Sequence, residues 1–233
     1  MDPNGSLDRT SHAIFDLFCR LGICDEESVQ PYYPKVRDRD DISVYRCNRS
    51  GVLLLSRSDD LSASHYVKKT GYRYIAPQLD RATAVRFGIE DAERRSNQIK
   101  ALVSGKRWLD VGTGSGGLLD LLRHFVSQVE AVEPQEIARR ALISDGYAVH
   151  DHLRHTASNQ FDVVTLFHVL EHLDDPIAEL EHVRRCLRDG GKVIIEVPHA
   201  EDFLLSFLGL EEFKAFTFWS EHLVLYTRLA LRS

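Results

Sequence analysis

Cysteine is scarce in this 233-residue chain, with four scattered at Cys19, Cys24, Cys47 and Cys186. That number and spacing suit neither a dense disulfide framework nor a metal-binding set, so no metal is expected and a reduced, cytoplasmic setting is the economical reading. Long apolar runs are missing as well. The greasiest stretch, FLLSFLGL at Phe203–Leu210, falls far short of the ~20 residues of a membrane span. The opening residues MDPNGSLDRT lack the basic-then-apolar layout of a secretory leader. Positive charge is in short supply too, with 29 Lys and Arg against 35 Asp and Glu, a net charge of −6. A general nucleic-acid binder needs a basic face to neutralise phosphates, so that class is disfavoured, although a small anionic substrate is not. No internal repeat or low-complexity segment is present.

What the chain does have is enough apolar residue, 43%, for a full core, and it reads as two unequal parts. Residues 1–78 form a small α+β segment. SHAIFDLFCR (Ser11–Arg20) has helical periodicity, and ISVYRCNRSGVLLLS (Ile42–Ser56) reads as a hairpin turning at Asn48–Gly51. Residues 79–233 form the larger part. It opens on a helix from about Leu79 to Val103, and apolar runs then alternate with amphipathic helices. The strands are RWLDVG, QVEAVEP, a weaker YAVHDH, FDVVTLFHVL and KVIIEVPH. DPIAELEHVRRCLRDGG reads as a helix with proline at its start and glycines at its end. This alternation predicts an α/β, doubly wound parallel sheet covered on both faces.

The centre of interest is RWLDVGTGSGGLLD, Arg107–Asp120, where a strand ends on an acid and enters a glycine-rich turn. Such a turn aims backbone N–H groups at a ligand rich in acceptors. Gly112, Gly114 and Gly117 satisfy the dinucleotide spacing, and Gly112, Gly114 and Gly116 satisfy a second glycine pattern, so the glycines alone do not choose a ligand. Their neighbours do. Asp110 would face a pyrophosphate badly but suits an ammonium group, and Glu133, ending the second strand, is placed to accept both ribose hydroxyls. A ligand with ribose, an ammonium group and no phosphate is S-adenosylmethionine.

These segments resemble the class I S-adenosylmethionine-dependent methyltransferases, whose fold is Rossmann-like. LDVGTGSG is similar to their first motif, VEAVEP to the second-strand motif, and LRDGGKVIIEVP to the approach to the fifth strand. FDVVTLFHVLEHLDDP (Phe161–Pro176) resembles the fourth-strand motif of the branch with quinone-biosynthesis O-methyltransferases and deoxysugar C-methyltransferases. The resemblance covers about Lys106–His199. It implies that Gly112, Thr113, Gly114 and Gly116 wrap the methionine part, that Asp110 holds its amino group, that Glu133 takes the ribose and that His168 lies near the methionine end. Asp151 would face the adenine amine, on a strand whose pattern is the least clear. Glu171 and His172 form the expected catalytic pair. In the sugar enzymes such a pair does acid–base work beside a ketone, whereas in the O-methyltransferase reading His172 deprotonates a hydroxyl. The bland alternative makes Glu171 a helix cap and His172 a polar lid residue.

YRCNRSGVLLLS looks like a worn version of the C-x-x-C-G zinc-ribbon hairpin that opens many sugar-modifying relatives, with Ser50 where the second cysteine would stand. Tyr72 and Tyr74 after it are candidate substrate contacts or ordinary half-buried aromatics. HDHLRH (His150–His155) invites a metal reading, but neither strand nor helix geometry converges its imidazoles easily, and a solvated loop is preferred. In related enzymes the apolar tail after the fifth strand covers the acceptor pocket, which makes His199, Trp219 and His222 candidate substrate contacts beside a plain packing role. The family's last two strands have no counterpart before the chain stops at TRLALRS. Truncation is one explanation, and the exposed edge that results would favour a homodimer. The expected function is methyl transfer to a small molecule, a nucleotide-linked sugar or glycan precursor first and a quinone or phenol second. An idle binding or assembly protein that keeps the cofactor fold is the rival.

Overall fold

The structure, a computed structural model, describes residues 13–57 and 80–232. Tyr72 and Tyr74 lie outside the described residues. The described chain groups into two compact units, residues 13–57, 170–176 and 197–232 in one and 80–169 and 177–196 in the other. The sequence reading divided the chain once, at residue 78. The observed grouping is interleaved, because the tail after the fifth parallel strand returns to the amino-terminal unit.

The second unit holds a five-stranded parallel sheet. Its strands are β4 (Arg107–Val111), β5 (Gln128–Val132), β6 (Ala148–His150), β7 (Phe161–Phe167) and β8 (Leu187–Glu196), in the order β6-β5-β4-β7-β8. From β4 the chain winds outward through β5 and β6, then crosses back to β7 and β8. The switch point therefore lies between β4 and β7, where open α/β sheets bind ligands beyond the strands' carboxyl ends. The core around β4 explains why this run is continuously apolar. Trp108, Leu119, Leu122 and Leu142 are fully buried and pack together with Ile99, Val103 and Val163.

Helices α2 (Arg81–Phe87) and α3 (Ile89–Val103) replace the single helix expected there, broken at Gly88, whose N–H still reaches the Ala84 carbonyl. Helices α4 (Gly117–Leu122), α5 (Glu136–Ser144) and α6 (Pro176–Cys186) follow the expected order. The end of α6 differs from expectation. Asp189, Gly190 and Gly191 do not close the helix. The chain passes directly from Cys186 into β8, and the glycines sit where the pairing jumps from Phe161↔Leu187 to Val163↔Lys192.

The first unit contains α1 (Ala13–Arg20) and an antiparallel sheet in the order β1-β2-β3-β9. Strands β2 (Val44–Cys47) and β3 (Leu53–Leu55) are the expected hairpin; β1 (Val29–Tyr33) was not foreseen. Helix α1 buries Ile14, Phe15, Leu17 and Phe18, and the Phe18 ring lies 6.0 Å from that of Tyr226. Strand β9 (Val224–Leu225) pairs with β3, so the tail adds an edge strand to this sheet and none to the parallel one. A last helix, α7 (Glu211–Thr217), precedes it. Phe203, Phe207 and Phe216 in this tail are largely exposed, with the first two rings stacked at 5.1 Å. No helix among the described residues is long and apolar enough to cross a membrane.

Candidate functional site

In the second unit, β4 delivers Asp110 to the carboxyl end of the sheet, where it is 4% exposed. Thr165 on neighbouring β7 donates its hydroxyl to Asp110 Oδ1 at 2.6 Å and accepts the Trp108 indole N–H at 2.8 Å. Burial pushes the Asp110 carboxyl up to about 6, with the Thr165 and Thr113 hydroxyls and the Arg95 charge opposing it. The buried Thr113 Oγ1 itself makes no hydrogen bond of full geometry.

The turn that follows is built from glycines in the left-handed region, Gly112, Gly114 and Gly116. Gly116 caps the start of α4. The Gly114 N–H donates to Glu133 Oε2 and the Gln135 N–H to Glu133 Oε1, each at 2.8 Å. Glu133 is 5% exposed, and its burial raises it to about 7, against those two N–H groups and the Arg139 charge. Two buried carboxylates thus flank one turn and are held directly by neutral donors. A Cβ on Gly114 would meet nothing within 4 Å, which marks open space beside the turn. Open space, carboxylates short of countercharge and an unsatisfied hydroxyl together fit a ligand that brings positive charge and hydroxyl groups.

His168 follows β7 with φ at 56°, a left-handed conformation that is unusual for a non-glycine residue. Its N–H donates to the Glu196 carbonyl at 2.8 Å, and its Nε2 lies 3.5 Å from Glu196 Oε1. Arg94 and Arg95 hold the same carboxylate, at 2.9 and 2.7 Å. The hydrogen bond from His168 and then the two arginines keep Glu196 well below the usual carboxylate range, although burial opposes them. Sequence reasoning missed Glu196, Arg94 and Arg95. The available signal was a lone acid at the end of the apolar run KVIIE.

The other expected residues divide between the units. In the first, Glu171 is fully buried, on the short turn Leu170–His172. His172 Nδ1 donates to the Glu221 carbonyl at 2.7 Å. The ring of His222 lies 5.1 Å from that of His172, and the Trp219 ring packs edge-on at 6.3 Å from His172. Glu171, His172, Trp219 and His222 are therefore brought together. His199 is engaged elsewhere, accepting the Glu201 N–H on Nδ1. In the second unit Asp151 is paired with His155 at 2.5 Å. His150 pairs with Glu130 at 2.8 Å, so the HDHLRH imidazoles turn to different partners.

The worn hairpin keeps more of its knuckle than its sequence suggested. Cys47 Sγ lies 3.3 Å from the Ser28 hydroxyl and accepts the Ser50 N–H at 3.4 Å, while Cys24 Sγ lies 3.7 Å from the Ser50 hydroxyl. Cys24 and Ser28 come to this hairpin from a loop distant in sequence. Burial pushes the Cys47 thiol up, but hydrogen bonds from Ser28, Ser50 and Cys24 outweigh it and bring it to about 7.

Comparison with known proteins bears on the larger part of the chain, residues 85–233. A methyltransferase domain family matches residues 85–233. Among curated proteins, the ubiquinone biosynthesis O-methyltransferase of Haemophilus ducreyi is 33% identical over 105 residues, 39% of this chain and 44% of that protein. Its namesake in Pseudomonas aeruginosa is 30% identical over 125 residues, 48% of this chain and 53% of that protein. The chain thus spans about half the length of the curated relatives it matches. Among solved structures, a SAM-dependent methyltransferase from Aquifex aeolicus aligns at 20% identity and a TM-score of 0.43, over 52% of this chain and 74% of that one. With the family match running over more than half of its length, the chain belongs to the methyltransferase domain family, and that membership implies S-adenosylmethionine as its cofactor.

Proposed function

We propose that the chain transfers a methyl group from S-adenosylmethionine to a hydroxyl of a small aromatic or otherwise hydroxylated acceptor. When bound, the cofactor supplies an electrophilic methyl on a sulfonium. In this reading Asp110 takes the ammonium group, Thr113, Gly114 and Gly116 line the methionine part, Glu133 accepts the ribose hydroxyls with lone pairs beyond those used by the two N–H groups, and the His168–Glu196 pair borders the methionine end. Glu171 and His172 handle the proton that the acceptor's hydroxyl must lose. The observation that carries the reading is the pair of buried, underneutralised carboxylates flanking the glycine turn, since an ammonium and a ribose answer both. The choice of oxygen leans on the printed activity of the ubiquinone-pathway relatives and on the Trp219 ring beside His172, an apolar wall for a planar acceptor. Carbon methylation of a nucleotide-linked sugar is the second reading, favoured by the knuckle-like arrangement of Cys24, Ser28, Cys47 and Ser50.

The test is calorimetry with S-adenosylmethionine across pH 5 to 8, beside Glu133→Ala and with NAD as the control. Asp110 and Glu133 must be ionised to hold a cationic ligand, so affinity should rise about tenfold or more as pH climbs through 6 and 7. The ligand-free protein should show the opposite sign. Carboxyls whose folded values are raised add stability below their ordinary range and lose it as pH rises through about 6 and 7, so melting temperature should fall over that window. Binding of NAD in place of the adenosyl ligand, or an unaltered Glu133→Ala variant, would sink the cofactor assignment. A screen of catechols and hydroxylated sugars for methyl incorporation then decides the acceptor.

A further inference from the structure

The chemistry gathered in the first unit goes beyond a base and its helper. Glu171, His172 and His222 each present one ligand-type atom, and the three atoms lie within 4.8 Å of one another. Two segments distant in sequence are tied together to make this group, the turn Leu170–His172 and the chain entering β9, through the Leu223 N–H donating to the Glu171 carbonyl at 2.8 Å. The tautomers follow from the partners. A carbonyl oxygen can only accept, so His172 carries its proton on Nδ1 facing the Glu221 carbonyl, and His222 on Nδ1 facing the Thr217 carbonyl at 3.3 Å. Each neutral imidazole then presents Nε2 as a lone-pair donor. A second ring N–H anchored on a backbone carbonyl is the arrangement that orients histidine toward a metal ion.

Burial differs across the group. Glu171 is 0% exposed on the turn that carries it. The imidazoles are only half-buried, so the cluster keeps an open side beside the Trp219 ring, 5.4 Å from that of His222. Two imidazoles, one carboxylate and an open position form a donor set suited to Zn²⁺ and its first-row neighbours.

We propose that Glu171, His172 and His222 bind a divalent first-row transition-metal ion. The use of the ion rests on the hydroxyl-methylation reading, although its binding does not. An acceptor hydroxyl coordinated at the open position would lose its proton to solvent at a lower pH. The freed oxygen lone pair then forms the O–CH₃ bond, and the electrons of the broken S–CH₃ bond remain on sulfur. His172 and Glu171 serve the proton through the ion, as ligands.

The test titrates the full chain, stripped with a chelator and dialysed, with Zn²⁺ and separately with Co²⁺. Calorimetry should give one site per chain, weakened at least ~100-fold in His222→Ala, since removing even a ligand's supporting partner costs 10–100-fold. Glu171→Gln provides a second variant, and thermal melts establish which variants are folded. X-ray absorption of the Zn²⁺-loaded protein should show nitrogen and oxygen neighbours, including imidazole. A sulfur shell, or loss of binding in Cys24→Ser with Cys47→Ser, would assign the ion to the thiol knuckle and overturn the proposal. So would a wild-type chain that binds no ion. The two readings separate cleanly. An ion bound at this cluster without hydroxyl methylation removes the function proposed above and leaves the site, whereas methylation indifferent to chelator and to His222→Ala removes the use proposed for the ion.

Discussion

Gly114 and Gly116 sit two residues apart with left-handed backbones, yet a methyl group added to each would meet different surroundings. At Gly116, φ is 76° and a Cβ would lie 2.4 Å from Leu142 Cδ2 and 3.2 Å from Arg81 Nη2. Gly116→Ala combines left-handed strain of about 1–2 kcal/mol with overpacking of about 1–3 kcal/mol. It should therefore lower unfolding free energy measured in urea by roughly 2–5 kcal/mol. At Gly114, φ is 58° and the space beyond is open. Gly114→Ala should lose only the ~1–2 kcal/mol of strain but place its methyl where the proposed ligand lies, so adenosyl affinity should fall far more than stability. Equal stability losses in the two variants would contradict this division. The contrast also marks what was legible at this scale. Glycine declares a left-handed turn because other residues avoid it, and Asp110 and Glu133 declare themselves by ending apolar runs. His168 adopts φ of 56° without being glycine, held by its bonds to Glu196, and no local pattern announces that.

Among elements, β4 and β7 are joined by more than their ladder. Thr165, opposite Asp110 in the register, links the Trp108 indole on one side to the Asp110 carboxyl on the other, all of it buried. Thr165→Val keeps the shape and removes the hydroxyl, leaving a buried N–H and a buried carboxylate oxygen each short of a partner. At about 1–3 kcal/mol for each orphaned group, the variant should be destabilised by roughly 2–6 kcal/mol in urea titration. Asp110, stripped of a donor that favours its charged form, should titrate higher still, which NMR of the carboxyl carbon would report. An unaltered Asp110 titration would show that the hydroxyl does not govern it. The central strands β4 and β7 were readable because strands buried on both faces are apolar almost throughout, whereas β6 at the sheet's edge is partly exposed and read more weakly. Strand β1 was hidden by its sequence, VQPYY, whose Pro31 donates no ladder bond and is tolerated because β1 lies at an edge. The end of α6 was misjudged because a pair of glycines usually closes a helix. Here Gly191 is packed so closely that a Cβ would approach the Phe161 carbonyl oxygen at 3.1 Å and the Arg188 carbonyl oxygen at 2.9 Å, so it serves the β7–β8 approach instead.

At the scale of the molecule, the departure from the sequence reading is the return of the tail. Residues 197–232 join the unit of residues 13–57, and β9, only Val224–Leu225, is the strand that completes its sheet. A two-residue strand has no periodicity to read, and its pairing with Leu53 and Leu54 is a contact across most of the chain. The consequence is that the amino-terminal sheet depends on residues about 170 positions further along the chain. Val224 is fully buried, and Leu223 on the same segment both donates to Glu171 and accepts from the Leu55 N–H at 3.2 Å. Val224→Asp would force a carboxylate into that position without a partner, at a cost of several kcal/mol, comparable to the ~5–15 kcal/mol that holds a whole domain. Hydrogen exchange on the full chain should then show the Leu53–Leu55 amides losing protection together with those around β9, with Trp108–Val111 of the parallel sheet as the internal reference. The Glu171–His172–His222 group, tied by the same segment, should lose its geometry in step. If the β3 amides stayed protected while β9 opened, the amino-terminal sheet would be self-sufficient and the tail merely laid against it. If they open together, the hairpin, the tail and the cluster between them are one cooperative structure.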